Sequence, residues 1–449
     1  MRRYAQRLGP MIKQVLVTLL LSFLLPARLH AATTTLVQES GDPFEWYMCR
    51  TTTDTCSTQT GSEWVTALSC TIDRTSRTTN KTFIGIGHTT AYRENDGFYY
   101  ITVRRDGVDQ FQHDALAEVG SGTAEGSGMT KNYMQQETIN AGTSTTFTWS
   151  IATWSTSCLT GGDTNDECCI DEAVLVFLEK TAAVQYATNT AGCGNTSDAF
   201  DAVKLTFTPA SQEKYYLIYF DAVQMWNWSG NDSQYGGPKF ENETDGVIYQ
   251  NNEFGYPGPV SSANQSDKTT VGGVAVETIE ASSHTFAVEY NCFNDASTNG
   301  CCTWQSAIAA FPVSYFTETF DGIESPTNGT DTFNNSGGTH PDVTQSVSHT
   351  SGRDYVGVMG FELSNEDSAQ VGHGSFTNGT NPHNIRETSG KDGDSNNAYN
   401  PGFIVTFEKD AATGSRTWVP SFESDINGGP KEAITKRVRM WIGGKDAAN

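Results

Sequence analysis

The apolar residues of this chain fall in short runs separated by stretches rich in Gly, Ser, Thr, Asn and Asp, and no window repeats them at a helical period. Four kinds of run recur in one order. The first is Thr82-Phe83-Ile84-Gly85-Ile86-Gly87, then Lys214-Tyr215-Tyr216-Leu217-Ile218-Tyr219-Phe220, then Asp354-Tyr355-Val356-Gly357-Val358-Met359-Gly360-Phe361. The second is an Asp-Gly turn, at Asp106-Gly107 and Asp245-Gly246, of the type that joins the two strands of a hairpin. The third is Thr146-Phe147-Thr148-Trp149-Ser150-Ile151, Thr285-Phe286-Ala287-Val288-Glu289-Tyr290 and Gly402-Phe403-Ile404-Val405-Thr406-Phe407, each read as a half-buried strand. The fourth is Ala173 to Leu178, Ser306 to Phe311 and Arg437 to Ile442. Successive copies are spaced by roughly 135 residues, far longer than a solenoid or propeller unit, so each copy must bury its own core.

The pattern predicts an all-β chain of three tandem antiparallel β-sandwiches, over residues 64–188, 189–318 and 319–449. Jelly rolls and immunoglobulin-like sandwiches both fit. The second is weakened because no copy has the Cys…Trp…Cys spacing of immunoglobulin domains and because the copies are long enough for eight or more strands. Residues 1–31 read as a signal peptide: Arg2, Arg3, Arg7 and Lys13 precede an apolar run from Val15 to Leu25, and Leu29-His30-Ala31-Ala32 offers a small-residue cleavage site. That run covers about half a bilayer core, so no membrane span is expected after cleavage and the mature chain is expected outside the cell or at its surface. Residues 32–63 read as a separate extended segment carrying Cys49 and Cys56. Its β-prone start, Thr33-Thr34-Thr35-Leu36-Val37-Gln38, suits either an edge strand of its own domain or one donated to a neighbouring subunit.

The cysteines repeat in phase with the strands. Cys158, Cys168 and Cys169 follow the third run of copy one as Cys292, Cys301 and Cys302 follow that of copy two, and copy three has none. Ten cysteines in an exported chain, with no CxxC or CxxH pair, point to disulfides rather than zinc. Hairpin staples Cys158–Cys168 and Cys292–Cys301 are expected, with Cys169 and Cys302 left for partners further away and Cys49, Cys56, Cys70 and Cys193 as further disulfide candidates.

The stretch Phe200-Asp201-Ala202-Val203-Lys204-Leu205-Thr206-Phe207-Thr208-Pro209, followed by Lys214 to Ile218, an Asp-Gly turn, a Thr-Phe run and the closing Ala-Ile-Ala-Ala-Phe strand, resembles the tandem jelly-roll modules of microbial extracellular fibres and of tail-fibre or surface proteins. The resemblance is fullest in copy two, and copy three lacks the Asp-Gly turn. It implies a structural or adhesive role and transfers no functional residue.

Charge narrows the partners. With 28 Lys+Arg against 52 Asp+Glu the formal net charge is −24, and loss of the leader removes five cations and no anion, taking it to −29. Such a surface repels nucleic acid. No nucleophile elbow, His-Glu-x-x-His, phosphate loop or dinucleotide fingerprint occurs, and the seven histidines beyond the leader are scattered, so no enzyme activity is expected. No cofactor is expected, save calcium at Asp392, Asp394 and Asn396, whose alternating oxygen ligands match half of an EF-hand loop without its Gly or closing Glu. Nine Asn-x-Ser/Thr acceptors, at Asn80, Asn195, Asn227, Asn231, Asn242, Asn264, Asn328, Asn334 and Asn378, are glycosylation candidates. Trp226, Trp228 and Tyr235, beside Asn and Asp, are candidates to stack on a sugar face. The expected function is a secreted structural glycoprotein that self-associates into an extracellular fibre or surface layer; the alternatives are a carbohydrate-binding adhesin and a glycan-active enzyme.

Overall fold

The computed structural model describes residues 37–38, 45–57, 64–93, 98–116, 127–153, 168–189, 192–195, 200–227, 235–250, 265–293, 300–323, 330–333, 338–339, 343–365, 371–378, 382–388, 400–425 and 433–446. Almost all of them are strand. The first stretch forms β1 (Val37–Gln38), β2 (Trp46–Thr51), β3 (Thr55–Ser57), β4 (Val65–Asp73), β5 (Lys81–Arg93), β6 (Phe98–Arg105), β7 (Val108–Leu116), β8 (Ser127–Ile139), β9 (Ser144–Thr153) and β10 (Cys168–Glu179). The second forms β11 (Gln185–Asn189), β12 (Gly192–Asn195), β13 (Phe200–Phe207), β14 (Glu213–Asn227), β15 (Tyr235–Asn242), β16 (Val247–Gln250), β17 (Gln265–Ile279), β18 (His284–Phe293) and β19 (Gly300–Pro312). After one 3-10 turn at Val313–Tyr315 come β20 (Glu318–Ile323), β21 (Thr330–Phe333), β22 (Gly338–Thr339), β23 (Gln345–His349), β24 (Arg353–Asn365), β25 (Val371–Thr377), β26 (Pro382–Thr388), β27 (Asn400–Ala411), β28 (Gly414–Asp425) and β29 (Ala433–Asp446).

Each stretch sorts into two antiparallel sheets of the same order. The sheet β1-β2-β10-β5-β8, with β3 also on β10, packs on β4-β9-β6-β7; β11-β19-β14-β17, with β12 on β19, packs on β13-β18-β15-β16; β20-β29-β24-β27, with β21 on β29, packs on β22-β28-β25-β26, with β23 on β28. With the eight strands lettered B to I in chain order, these are the B-I-D-G and C-H-E-F sheets of a jelly roll. Inward-facing residues of each pair close a core, for example Leu68, Phe83, Phe147, Trp149, Leu175 and Phe177 in the first, Leu217, Tyr219, Phe286 and Ile308 in the second, and Met359, Phe376, Trp418 and Ile442 in the third.

Two expectations are corrected. Residues 46–57, placed by the sequence in a separate segment, lie in the first sandwich: β2 pairs with β10 from Trp46↔Leu178 to Arg50↔Val174 and Thr51↔Ala173, and β3 pairs with the start of β10. Val37–Gln38 in turn pairs with β2 of its own chain. The run Gly402–Phe407 holds the place of β8 and β17 rather than that of β9 and β18, which β28 takes. Its apolar residues face two ways, Ile404 into the third sandwich and Phe403, Val405 and Phe407 out of it, so it does not alternate as a half-buried strand does.

Cys49 and Cys70 join β2 to β4 across the first sandwich, and Cys56 and Cys169, 113 residues apart, join β3 to β10. In the second sandwich Cys302 is also disulfide-bonded. It stands opposite Cys193 on β12 and β19, as Cys169 stands opposite Cys56. Non-reduced peptide mapping is therefore expected to find Cys193 joined to Cys302; Cys193 joined to Cys292 or Cys301 would contradict that register. The staples Cys158–Cys168 and Cys292–Cys301 fall outside the described side chains.

Candidate functional site

The three B-I-D-G sheets are apolar on both faces, and their outer faces meet. Trp46, Ile86, Met134 and Val176 from the first sandwich, Tyr216, Ile218, Val274 and Ala309 from the second, and Val356, Val358, Phe403 and Trp441 from the third form one buried cluster. At one end of this shared core the packing is aromatic. Trp441 stacks on Tyr216 with centroids 5.2 Å apart and 4° between the planes, and it meets Phe316 at 5.6 Å. Trp46 Nε1 donates to the Tyr315 hydroxyl at 3.0 Å, and that hydroxyl donates to the Glu179 carbonyl at 2.9 Å. The turn between the second and third sandwiches is thus pinned onto the first.

Towards the other end the junction becomes polar, and there side chains of neighbouring sandwiches cap the G strands β8 and β27. The Asn132 N–H of β8 donates to Thr270 Oγ1 of β17 at 2.8 Å. The Asn132 side-chain amide pairs with β27 as a neighbouring strand would, donating to the Phe403 carbonyl and accepting from the Phe403 N–H at 3.2 Å. The Val405 N–H donates to His88 Nδ1 at 3.1 Å. On the third side β17 approaches β24 so closely that a Cβ at Gly360 would lie 2.6 Å from the Val274 nitrogen, and one at Gly272 would lie 2.5 Å from the Phe403 ring. A free strand edge is a template for unplanned pairing. Here β8, β17 and β27 each turn that edge into the junction.

His88 accepts through Nδ1, so its proton sits on Nε2, which faces Glu172 Oε1 at 3.9 Å. Burial alone pulls the imidazole down to about 3, so it is neutral in the folded chain. Inside the second sandwich, Ser306 Oγ donates to Asp221 Oδ1 at 2.8 Å, while Oδ2 is buried without a hydrogen-bond partner. Burial pushes that carboxyl well above the usual range and disfavours its ionised form. Its contribution to stability is greatest below the unfolded value of 3.8 and is lost as pH rises toward the folded value. Asp221→Asn is therefore expected to be more stable than the natural chain at pH 7, with a flatter dependence on pH between 4 and 8 in urea titrations. Equal stabilities and equal slopes would mean that the carboxyl is ionised and solvated.

The sequence-derived candidates do not assemble into one site. Asp392, Asp394, Asn396, Trp228, Asn231, Asn264, Asn328 and Asn334 lie outside the described residues, and Trp226 and Tyr235 are placed on β14 and β15 by backbone alone. Asn80 is exposed. Asn242 and Asn378 are fully buried, and their side-chain amides donate to Asp245 and Glu408 respectively. Asp201, Glu243 and Glu289 bring carboxylates within 4.8 Å of one another. Lys204 lies 3.0 Å from Asp201 and 2.6 Å from Glu243, and Lys239 lies 3.1 Å from Glu289, so lysines already supply the counter-charge. Among the described residues no helix is long and apolar enough to cross a membrane.

The sequence reading missed the junction. Its signal was there: Ala173-Val174-Leu175-Val176-Phe177-Leu178 and Tyr215 to Phe220 are continuous apolar runs, the mark of strands buried on both faces.

No protein-family description matches this chain, and no curated protein does. Among solved structures it is similar to PNGF-II in a C2 crystal form, at 7% identity over 80% of this chain and 99% of that one, with a TM-score of 0.24. It is also similar to a structure of the triple jelly-roll fold and turret assembly in an archaeal virus, at 13% identity over 93% and 92%, with a TM-score of 0.16. Tandem CBM51 modules of a family 98 glycoside hydrolase from Streptococcus pneumoniae overlap at 12% identity over 61% and 87%, with a TM-score of 0.15. The jelly-roll assignment rests on the strand order of the chain itself.

Proposed function

We propose that this chain is an exported structural subunit that self-associates into an extracellular fibre or surface layer, and that it works as a preassembled block. One observation carries the reading: three jelly rolls pack their B-I-D-G sheets around a shared core, and side chains of neighbouring sandwiches cap the G strands β8 and β27. Three beads on flexible linkers would transmit load only through those linkers. A block with a common core resists bending and shear through buried contacts. The disulfides fit an oxidising compartment and further constrain the unfolded chain.

Because the G edges are used inside the molecule, subunit contacts fall to the B-side edges and to the C-H-E-F sheets. A mature charge of −29 opposes such contacts at low ionic strength, and salt screens it over about 8 Å under physiological conditions. Electron microscopy of the mature protein across a salt series tests the function. Periodic filaments or sheets that grow with added salt are expected, and monodisperse monomers at every salt and protein concentration would overturn it.

A further inference from the structure

At one end of the second sandwich the turn from β15 to β16 lies against the turn from β17 to β18. The Glu243 N–H donates to the Thr285 carbonyl and the Thr285 N–H to Thr244 Oγ1, both at 2.9 Å. Ser282, His284 and Asp245 meet there. Ser282 Oγ is 2.9 Å from His284 Nε2, and Asp245 Oδ2 is 3.0 Å from His284 Nδ1. This is the connectivity of a nucleophile, a base and the carboxylate that orients the base. The carboxylate stands off the axis of the ring N–H, and contacts of this kind tighten when substrate binds. A negative charge beside Nδ1 favours the tautomer with its proton there, which leaves the Nε2 lone pair facing Ser282. The imidazole is buried and Ser282 is exposed, so the base is shielded while the hydroxyl is open to a substrate. Asn242 places the carboxylate: its side-chain oxygen accepts from the Thr244 and Asp245 N–H groups at 3.1 and 3.3 Å, and its amide donates to Asp245 Oδ2 at 2.7 Å. Glu277 of β17 also lies within electrostatic reach of the ring, but burial pushes its carboxyl up and disfavours the charged form.

The fold does not require this trio. Counting back from the matching core residues Phe286 and Phe147, Ser282 and His284 fall where the first sandwich has Thr143 and Thr145. There Thr143 Oγ1 donates to the Asn140 carbonyl at 2.8 Å, and the turn closes without a histidine. We propose that Ser282 is a nucleophile for acyl transfer, with His284 as its general base and Asp245 as the residue that positions the imidazole. Ser282 Oγ attacks the carbonyl carbon of a carboxylic ester while its proton passes to His284 Nε2. The tetrahedral intermediate collapses, the bond to the alcohol oxygen breaks, and that oxygen takes the proton from Nε2. A water molecule deprotonated by the same nitrogen then attacks the acyl group, which leaves as the free acid and returns the proton to Ser282. Ser282 stands exposed beside the end of a strand, so the substrate class is small, sterically open esters such as O-acetyl groups. This activity is separate from the structural role proposed above.

The test treats the full, oxidised chain with an alkyl fluorophosphonate, which phosphonylates base-activated serines with loss of fluoride, and maps the adduct by mass spectrometry. Hydrolysis of nitrophenyl acetate is followed in parallel. The adduct is expected on Ser282. Ser282→Ala is expected to abolish both adduct and hydrolysis, and Ser283→Ala to keep both. His284→Thr, which installs the residue of the first sandwich, is expected to slow both by about 10²-fold or more, the scale of general-base assistance. Asp245→Asn is expected to slow hydrolysis and to move its pH midpoint downward, because a neutral amide no longer favours the imidazolium. An unmodified Ser282 in a chain with native circular dichroism would overturn the proposal, as would parental hydrolysis by Ser282→Ala or by a folded His284→Thr chain. An unmoved midpoint in Asp245→Asn would overturn the role given to Asp245. These readouts are independent of whether the protein forms filaments.

Discussion

Trp441→Ala is expected to destabilise the protein by about 3–5 kcal/mol, the range for deleting a large aromatic from a packed core. Trp441 is fully buried and stacks on Tyr216 of the second sandwich while touching Phe311 and Phe316. Truncation opens a cavity between two sandwiches rather than inside one, so both are expected to lose stability together in urea titrations followed by fluorescence and circular dichroism. Trp441→Phe supplies the control. The indole Nε1 is buried with no hydrogen-bond partner, so the phenyl ring gives up volume without giving up a hydrogen bond and relieves an unpaired donor. Its loss is expected to stay below about 1.5 kcal/mol, in line with conservative core exchanges. A Trp441→Ala protein within about 0.5 kcal/mol of the parent, as a typical surface substitution would be, would mean that the sandwiches do not share this core.

Acid is the second strong lever. His88 is held neutral by burial, its value pulled from 6.5 to about 3, while in the unfolded chain it titrates normally. The sign follows from the depressed folded value: the stabilisation is fully present above pH 6.5 and is lost as pH falls toward 3. The loss from one such group is about 1.4 kcal/mol per pH unit inside that window. His349, which accepts from Trp418 Nε1 at 3.1 Å, is pulled down to about 4 by burial, with the Arg416 charge adding to it, and acts in the same direction. Unfolding near pH 5 is therefore expected to take up about one proton fewer in His88→Gln than in the natural chain, read from the slope of unfolding free energy against pH. An unchanged slope would mean that His88 is already protonated, or exposed, in the folded molecule. The physical consequence is a block that loosens at the junction first, because protonation of Nδ1 removes the acceptor of the Val405 N–H and places a charge between two sandwiches.

The sandwiches were legible because their strands carry local signals. Asp106-Gly107 and Asp245-Gly246 set the E–F turns, and buried Phe147 and Trp149 alternate with half-buried Thr146 and Thr148 along β9 as a strand with one buried face should. The third copy went out of phase where that logic fails. Gly402–Phe407 is apolar on both faces because it belongs to the junction, and its turn partner Asp-Gly is missing, so nothing local distinguished strand G from strand H. The junction itself was not legible residue by residue. Asn132 and His88 look like ordinary polar positions in their strands, and their role depends on Phe403 and Val405, more than 270 residues away. Burial of Asn242 and Asn378 was equally beyond a sequon pattern, which records a tripeptide and nothing of the turn that encloses it.

Scanning calorimetry of the oxidised protein at pH 7 tests the shared core most directly. The structure predicts one endotherm in which the calorimetric and van't Hoff enthalpies agree, because no sandwich can unfold without exposing the apolar outer face of its neighbours. Three separable transitions, or a calorimetric enthalpy about three times the van't Hoff value, would contradict it and reduce the molecule to independent beads.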